Sequence, residues 1–375
     1  IYIITMPELI YSNDFHKGTY SLIELSNDKI AEAIESSGEL VIKGLPEDEA
    51  VLCTHDQTFS LRQVNTSNSL LLARKELSND SNLHVIDDLS HTIEVIPCLA
   101  RLTRIDDLLQ PTKYAGEAVE HNNANKEQYS YQELLSIIQA SEAELRQGLS
   151  ERNAFELNGK YRILERSFMH GLLDALITNA TIAELNLDAM PLEAAKDCIR
   201  QYHEDGVNIP DPVVMACLRA FSTTNDKTDN DGELILKLDQ YKVCRFMGEV
   251  ILASARGKEW TLDDFHQVWR RLVPDVFTPN MEHMLQGLYI TTERAAPGLG
   301  RIQSYVSYFP VTELSVDPAQ RFASLFAEKK QWTPEQIIPY IQDLASTQKA
   351  RDALLLKFTR TQKSNGQVLY GSRIK

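Results

Sequence analysis

Three short stretches of the chain share one pattern: Tyr129-Ser130-Tyr131-Gln132-Glu133-Leu134, Trp260-Thr261-Leu262-Asp263-Asp264-Phe265 and Trp332-Thr333-Pro334-Glu335-Gln336-Ile337. In each, the hydroxyl residue reads as a helix N-cap, and the acid or amide three residues on closes a capping box. Pro334 takes the first helical position, where a missing N–H costs nothing. The aromatic before each cap is placed to staple onto the apolar residue that opens the buried face. The downstream order recurs as well. After the first stretch come a second helix capped by Ser141 and the run "FELNGKYRIL", which alternates around Asn158-Gly159, a pair that suits a two-residue type I′ turn. After the second come "TPNMEHMLQGLYI" and two β-rich runs flanking Pro297-Gly298; after the third come "TQKARDALLLKFTRTQK" and a turn at Asn365-Gly366. Helix, helix, hairpin is the winged-helix order.

Upstream, the period changes from helical to two. Residues 1–98 hold short alternating or β-branched runs such as "TYSLIEL", "ELVIKGL", "TFSLRQV" and "TIEVIP", punctuated by Gly38 and Gly44. They predict an antiparallel sheet or small barrel. One helix is predicted inside it, from Asn27 or Asp28 through Ile30 and Ile34 to a stop at Gly38. The runs "SLLLA", "VIKGL" and "TIEVIP" are more apolar than a single-faced sheet requires, so this region is expected to need a partner. "TKYAGEAVEHNNANKEQ", residues 112–128, reads as a linker. The predicted class is α+β, with an N-terminal β-rich barrel-like domain over 1–111 followed by tandem winged-helix domains. The first winged helix, with the linker and additional helices, spans 112–225, the second 226–312 and the third 313–375.

Signatures of chemistry fail one by one. Cys53, Cys98, Cys198, Cys217 and Cys244 show no CxxC spacing and the nine histidines no HxxxH pair, so no metal site is expected. "KTDNDGELILKL" places Asp229, Asp231 and Gly232 as a calcium loop would, but Lys227 and Leu238 stand at its first and last ligand positions. Gly298 and Gly300 precede no GK[ST], and there is no GxSxG. An enzyme and a cofactor are not expected. No apolar run approaches the ~20 residues of a membrane span, and "IYIITMPELIY" lacks the marks of a secretory leader.

Charge separates the ends of the chain. Residues 1–112 carry eight Lys/Arg against eighteen Asp/Glu, whereas 313–375 carry ten against six, in a protein of net charge -15. From Thr347 onward seven bases face the single Asp352. In a third winged helix, Lys349, Lys357, Arg360 and Lys363 fall on the reading helix and wing stem, and Arg373 and Lys375 at the end of the wing. Such a surface offers cations to a phosphate backbone from two sides. The first unit mixes Glu142, Glu144 and Glu151 with Arg146 and Arg152 beside the Asn158-Gly159 tip, which suits a protein partner better.

"EAVLCTHDQTFSLRQVNTSNSLLL" (49–72), "YRILE" (161–165), "WTPEQIIPYIQDL" (332–344) and "NGQVLYGSR" (365–373) carry a resemblance to the family called defective in sister chromatid cohesion, a subunit of the alternative replication-factor-C-like clamp loader. It runs over nearly the whole chain in the same order. The resemblance implies a nuclear, non-ATPase adaptor whose β-rich region assembles with the large and small loader subunits. It further implies winged helices that bind DNA, single- or double-stranded, and the catalytic subunit of DNA polymerase epsilon, with the sliding clamp reached indirectly and no membrane partner. The linker here is Asn-rich and acidic rather than basic, so DNA contact at that place is not carried over. Outside that family, the same pattern would fit a winged-helix transcriptional regulator or a cullin-like scaffold.

Overall fold

Period-two alternation gives eight strands in the first hundred residues: β1 (Leu9–Tyr11), β2 (Leu22–Leu25), β3 (Val41–Lys43), β4 (Val51–Cys53), β5 (Thr58–Asn65), β6 (Leu71–Lys75), β7 (Leu83–Asp88) and β8 (His91–Pro97). The computed structural model describes residues 8–25, 28–36, 38–65, 67–75, 82–202, 209–228, 234–295, 302–345, 347–364 and 366–373. The Pro297-Gly298 tip, the turn at Asp229–Gly232, Asn365 and Lys375 lie outside them. The chain forms two compact units, Ile1–Met169 with Val207–Ala216, and His170–Gly206 with Cys217–Lys375.

In the first unit the strands make a five-stranded sheet, β2-β8-β5-β4-β3, and a three-stranded one, β1-β7-β6. The barrel-like expectation gives way to open sheets. Closure requires the outermost strands to pair, and among the described residues β2 pairs only with β8 and β3 only with β4. Helix α1 (Asp28–Ser36) ends before Gly38, at φ 68°, as its periodicity predicts. It buries Ile30 with Leu52, Phe59 and Val95. Burial works against the charged form of Asp87, but N–H donors from Tyr20, Gly18 and Asp88 outweigh it and hold the carboxyl below its ordinary range.

Residues 112–128 are folded rather than a linker. Helices α2 (Thr103–Leu109) and α3 (Glu117–Asn123) bracket a buried Tyr114, whose ring packs edge-on against Phe155 and Phe168. Low hydrophobicity misled because polar groups are satisfied inside: the buried Asn123 amide donates to the Lys113 carbonyl at 3.0 Å. Ser130 and Ser141 then cap α4 (Tyr131–Ile137) and α5 (Glu142–Glu151) through complete capping boxes. Lys160 and Ser130 hold the Glu133 carboxyl down at about 2. Asn158 and Gly159, at φ 53° and 77°, turn β9 (Phe155–Leu157) into β10 (Lys160–Arg162). The sheet is bolted to this region: the buried Lys43 ammonium donates to the Ala140 carbonyl at 2.6 Å and Gln139 to the Glu49 carbonyl at 2.7 Å.

Beyond Leu164 one order of elements occurs three times along the chain: helix, short strand, two helices, hairpin. The first is α6 (Arg166–Ile182), β11 (Met190–Pro191), α7 (Leu192–Arg200), α8 (Asp211–Phe221), β12 (Ser222–Thr228) and β13 (Leu234–Leu238). The second is α9 (Gln240–Ser254), β14 (Glu259–Thr261), α10 (Leu262–Leu272), α11 (Met281–Met284), β15 (Tyr289–Ala295) and β16 (Ile302–Tyr308). The third is α12 (Pro318–Glu328), β17 (Gln331–Trp332), α13 (Pro334–Ile337), α14 (Gln348–Phe358), β18 (Thr359–Ser364) and β19 (Gln367–Ser372). In each, the short strand pairs with the second hairpin strand to complete a three-stranded sheet. The aromatic before the cap therefore does more than staple. Trp260 pairs with Val306 and Trp332 with Tyr370, while Tyr129 accepts one backbone bond from Tyr161 at 2.8 Å.

The third repeat is built around Phe322, Leu325, Trp332, Ile337, Tyr340, Leu355 and Phe358. Arg321, only 1% exposed, sits beside it. Its guanidinium makes two bonds of 2.9 Å to the Asp343 carboxylate and donates to the Tyr340 and Ser315 carbonyls at 2.8 and 2.6 Å.

Candidate nucleic-acid interface

Thr347 caps α14 by accepting the Ala350 N–H at 3.2 Å. One stripe of the helix, Leu355 and Phe358, is buried, with Phe358 stacked on Phe322 at 5.0 Å. The opposite stripe exposes Lys349, Ala353, Leu356 and Lys357. The two lysines are eight residues apart, or about 12 Å along the axis. Phe358 passes directly into Thr359 and β18, which pairs with β19 from Thr359↔Ser372 to Ser364↔Gln367. Gly366, at φ 81°, supplies the left-handed turn between them.

The sequence-selected cations divide into two kinds. Lys349, Arg360 and Lys363 are exposed and form no ion pair among the described residues; Lys357 is exposed with its ammonium 5.1 Å from the Phe358 ring. Arg360 and Lys363 are three positions apart on a strand, so they project from opposite faces of the hairpin. Arg373 is committed elsewhere, because its guanidinium donates to the Leu356 carbonyl at 2.6 Å and offsets the negative pole of α14. Arg351, not among the selected contacts, likewise donates to the Ala345 carbonyl at 3.1 Å. A sequence shows the charge of such residues but not the carbonyl they meet.

The other two repeats differ at the same position. In α8, Val213, Val214, Ala216, Cys217, Leu218, Ala220 and Phe221 are buried, and burial pushes the Cys217 thiol up to about 12. In the second repeat α11 has only four residues, too short to lie along a groove.

The sequence-selected arginines of α5 are both paired. Arg146 meets Glu142 at 2.7 Å and lies over the Tyr131 ring at 4.6 Å, remaining 63% exposed. Arg152 grips Asp106 with two bonds, 2.8 and 2.7 Å, and also donates to the Gly148 carbonyl, so it ties α5 to α2. Arg152→Glu is expected to lower stability by roughly 1–3 kcal/mol, and Arg146→Glu by clearly less, because its pair with Glu142 is exposed to solvent. Urea unfolding of the two variants checks this, and equal losses would remove the structural role given to Arg152.

A second surface lies on the β-rich region. Its edge strands expose Leu9, Tyr11, Leu22, Ile23, Val41 and Ile42, which monomeric sheets normally cover or charge. The apolar run at β3 was legible in the sequence; the exposure of β2 was not.

Open β-sheets followed along the chain by three helix-and-hairpin repeats, the last with a basic helix and hairpin, define a modular α+β protein. Residues 20–341 match the family model described as Sister chromatid cohesion protein Dcc1. The chain belongs to that family. It is 29% identical to Sister chromatid cohesion protein DCC1 of Mus musculus, covering 95% of this chain and 88% of that protein. The Homo sapiens protein of the same name is 28% identical, over 95% and 89%. That of Saccharomyces cerevisiae is 24% identical, over 97% and 99%.

Proposed function

We propose that this chain is a non-enzymatic adaptor that brings DNA to a protein assembly acting in sister chromatid cohesion. The process is taken from its relatives' names. The DNA role is carried by one observation: of the three repeats, only the last combines, among the described residues, a long exposed third helix with unpaired cations and a cation-bearing hairpin. We read the repeats as winged helices, with α14 as the reading helix. The assembly we propose is the alternative replication-factor-C-like clamp loader in the nucleus, with its large and small subunits covering the exposed strands of the β-rich region. DNA polymerase epsilon is the proposed partner of the mixed-charge α5 surface, and the sliding clamp is reached through the loader.

Changing Lys349, Lys357, Arg360 and Lys363 together to Glu, while sparing Arg373, tests the DNA reading. If all four touch phosphates, the log–log salt dependence of affinity should lose about 3 units of slope, at roughly 0.7–0.9 per contact. Stability should hold to within about 0.5 kcal/mol per site. Affinity measured at two salt concentrations on single- and double-stranded DNA decides it, and an unaltered slope on both would refute the assignment. Co-purification with tagged wild type and Arg146→Glu tests the partners: recovery of loader subunits with neither form would sink the adaptor role.

A further inference from the structure

Only twice in the sequence does glutamine directly follow a serine or threonine, at Thr347-Gln348 and Thr361-Gln362, and both pairs run on into lysine, Lys349 and Lys363. Both fall on the basic surface of α14 and its hairpin. Thr347 is the cap of α14, and Thr361 is the third residue of β18. Both threonines and both glutamines are exposed. β18 is an edge strand with β19 as its only neighbour among the described residues, so the path through Thr361 is already extended and open on one side. Among the described residues, the Gln362 side chain is held only by an exposed bond from Gln331, at 2.9 Å.

We propose that Thr347 and Thr361 are acceptors for a protein kinase of the class that selects glutamine immediately after the acceptor, and that their phosphorylation releases the surface from nucleic acid. In each transfer Thr Oγ1 attacks the γ-phosphorus of ATP. The new O–P bond forms as the bond to the ADP oxygen breaks, and the hydroxyl proton passes to the base of the kinase. Each phosphate adds about −1.5 to −2 charges at pH 7, so two of them offset Lys349, Lys357, Arg360 and Lys363. On β18, Thr361 and Lys363 share a face about 7 Å apart, close enough for the new phosphate to occupy the ammonium that DNA would use. At Thr347 the added charge meets the positive pole of α14, which tolerates it, so the helix persists while its surface changes sign.

The release rests on the DNA-binding role proposed for α14 and its hairpin; the acceptor assignment does not. Full-length chain is incubated with ATP and a purified glutamine-directed kinase, its phosphosites are mapped by mass spectrometry, and DNA affinity is measured before and after. Phosphate is expected on Thr347 and Thr361 ahead of other hydroxyls, with affinity reduced about tenfold or more. A Thr347→Asn/Thr361→Val variant, which keeps a capping side chain on α14 and a β-branched residue on β18, should ignore the kinase and show one DNA affinity with and without kinase treatment. Equal phosphate incorporation into parent and variant would overturn the acceptor sites, and unchanged affinity of the phosphorylated parent would overturn the release. If the unmodified chain fails to bind DNA, the interface reading and the release fall together, and the mapping alone decides the acceptors.

Discussion

Asp343→Ala should destabilise the third repeat by about 3 kcal/mol or somewhat more, the range seen when a buried ion pair loses one partner. Arg321 is 1% exposed, and Asp343 is its only carboxylate among the described residues. The carboxylate is itself 48% exposed, so water can reach the vacated place and keeps the loss near the low end of that range. Replacing both groups, Arg321→Met with Asp343→Leu, should cost less than Asp343→Ala alone, because no uncompensated charge is left. Tyr340 and Ser315 would then lack their donor, which sets a floor under the cost. Denaturant unfolding of the single and double variants measures the coupling, and a loss under about 1 kcal/mol for Asp343→Ala would show that the pair is not what holds this corner.

Trp332→Ala is expected to cost about 3–5 kcal/mol, as large-to-small changes at buried aromatic positions do. The side chain is 2% exposed, and its indole N–H donates to the Lys329 carbonyl at 2.8 Å and the Leu325 carbonyl at 3.2 Å. Trp260 occupies the corresponding place in the second repeat but is only partly buried, and its indole nitrogen has no hydrogen-bond partner among the described residues. Trp260→Ala should therefore cost clearly less, on the order of 1–2 kcal/mol. Thermal and urea unfolding compare the two. Equal losses would mean that the shared motif, rather than its local burial, sets the energetics.

The two tryptophans also mark how far the sequence could be read. Ser130, Thr261 and Thr333 cap helices where the motif puts them, because capping is local chemistry written in four residues. The turn at Asn158-Gly159 is legible for the same reason. The repeat running from Arg166 to Leu238 was not. Its short strand is Met190–Pro191 and the helix after it has Pro191 at the cap with no side-chain bond, so neither aromatic nor hydroxyl announces it. The fold of 112–128 was hidden because its polar side chains are satisfied by carbonyls five to fifteen residues away, a spacing with no periodic signature. On α14, the basic stripe was visible as composition, whereas the split between exposed cations and the carbonyl-bound Arg373 depends on the fold.

The direct passage of α14 into β18, with no residue between Phe358 and Thr359, has a mechanical consequence. Helix and hairpin are joined without a loop, and Phe358 anchors the junction on Phe322. A ligand that touches both need not order a joint between them, a saving of about 1–2 kcal/mol for each residue such a joint would have held. A pull applied along β18 therefore reaches α14 through Phe358 and Thr359 with no loop between them to absorb it.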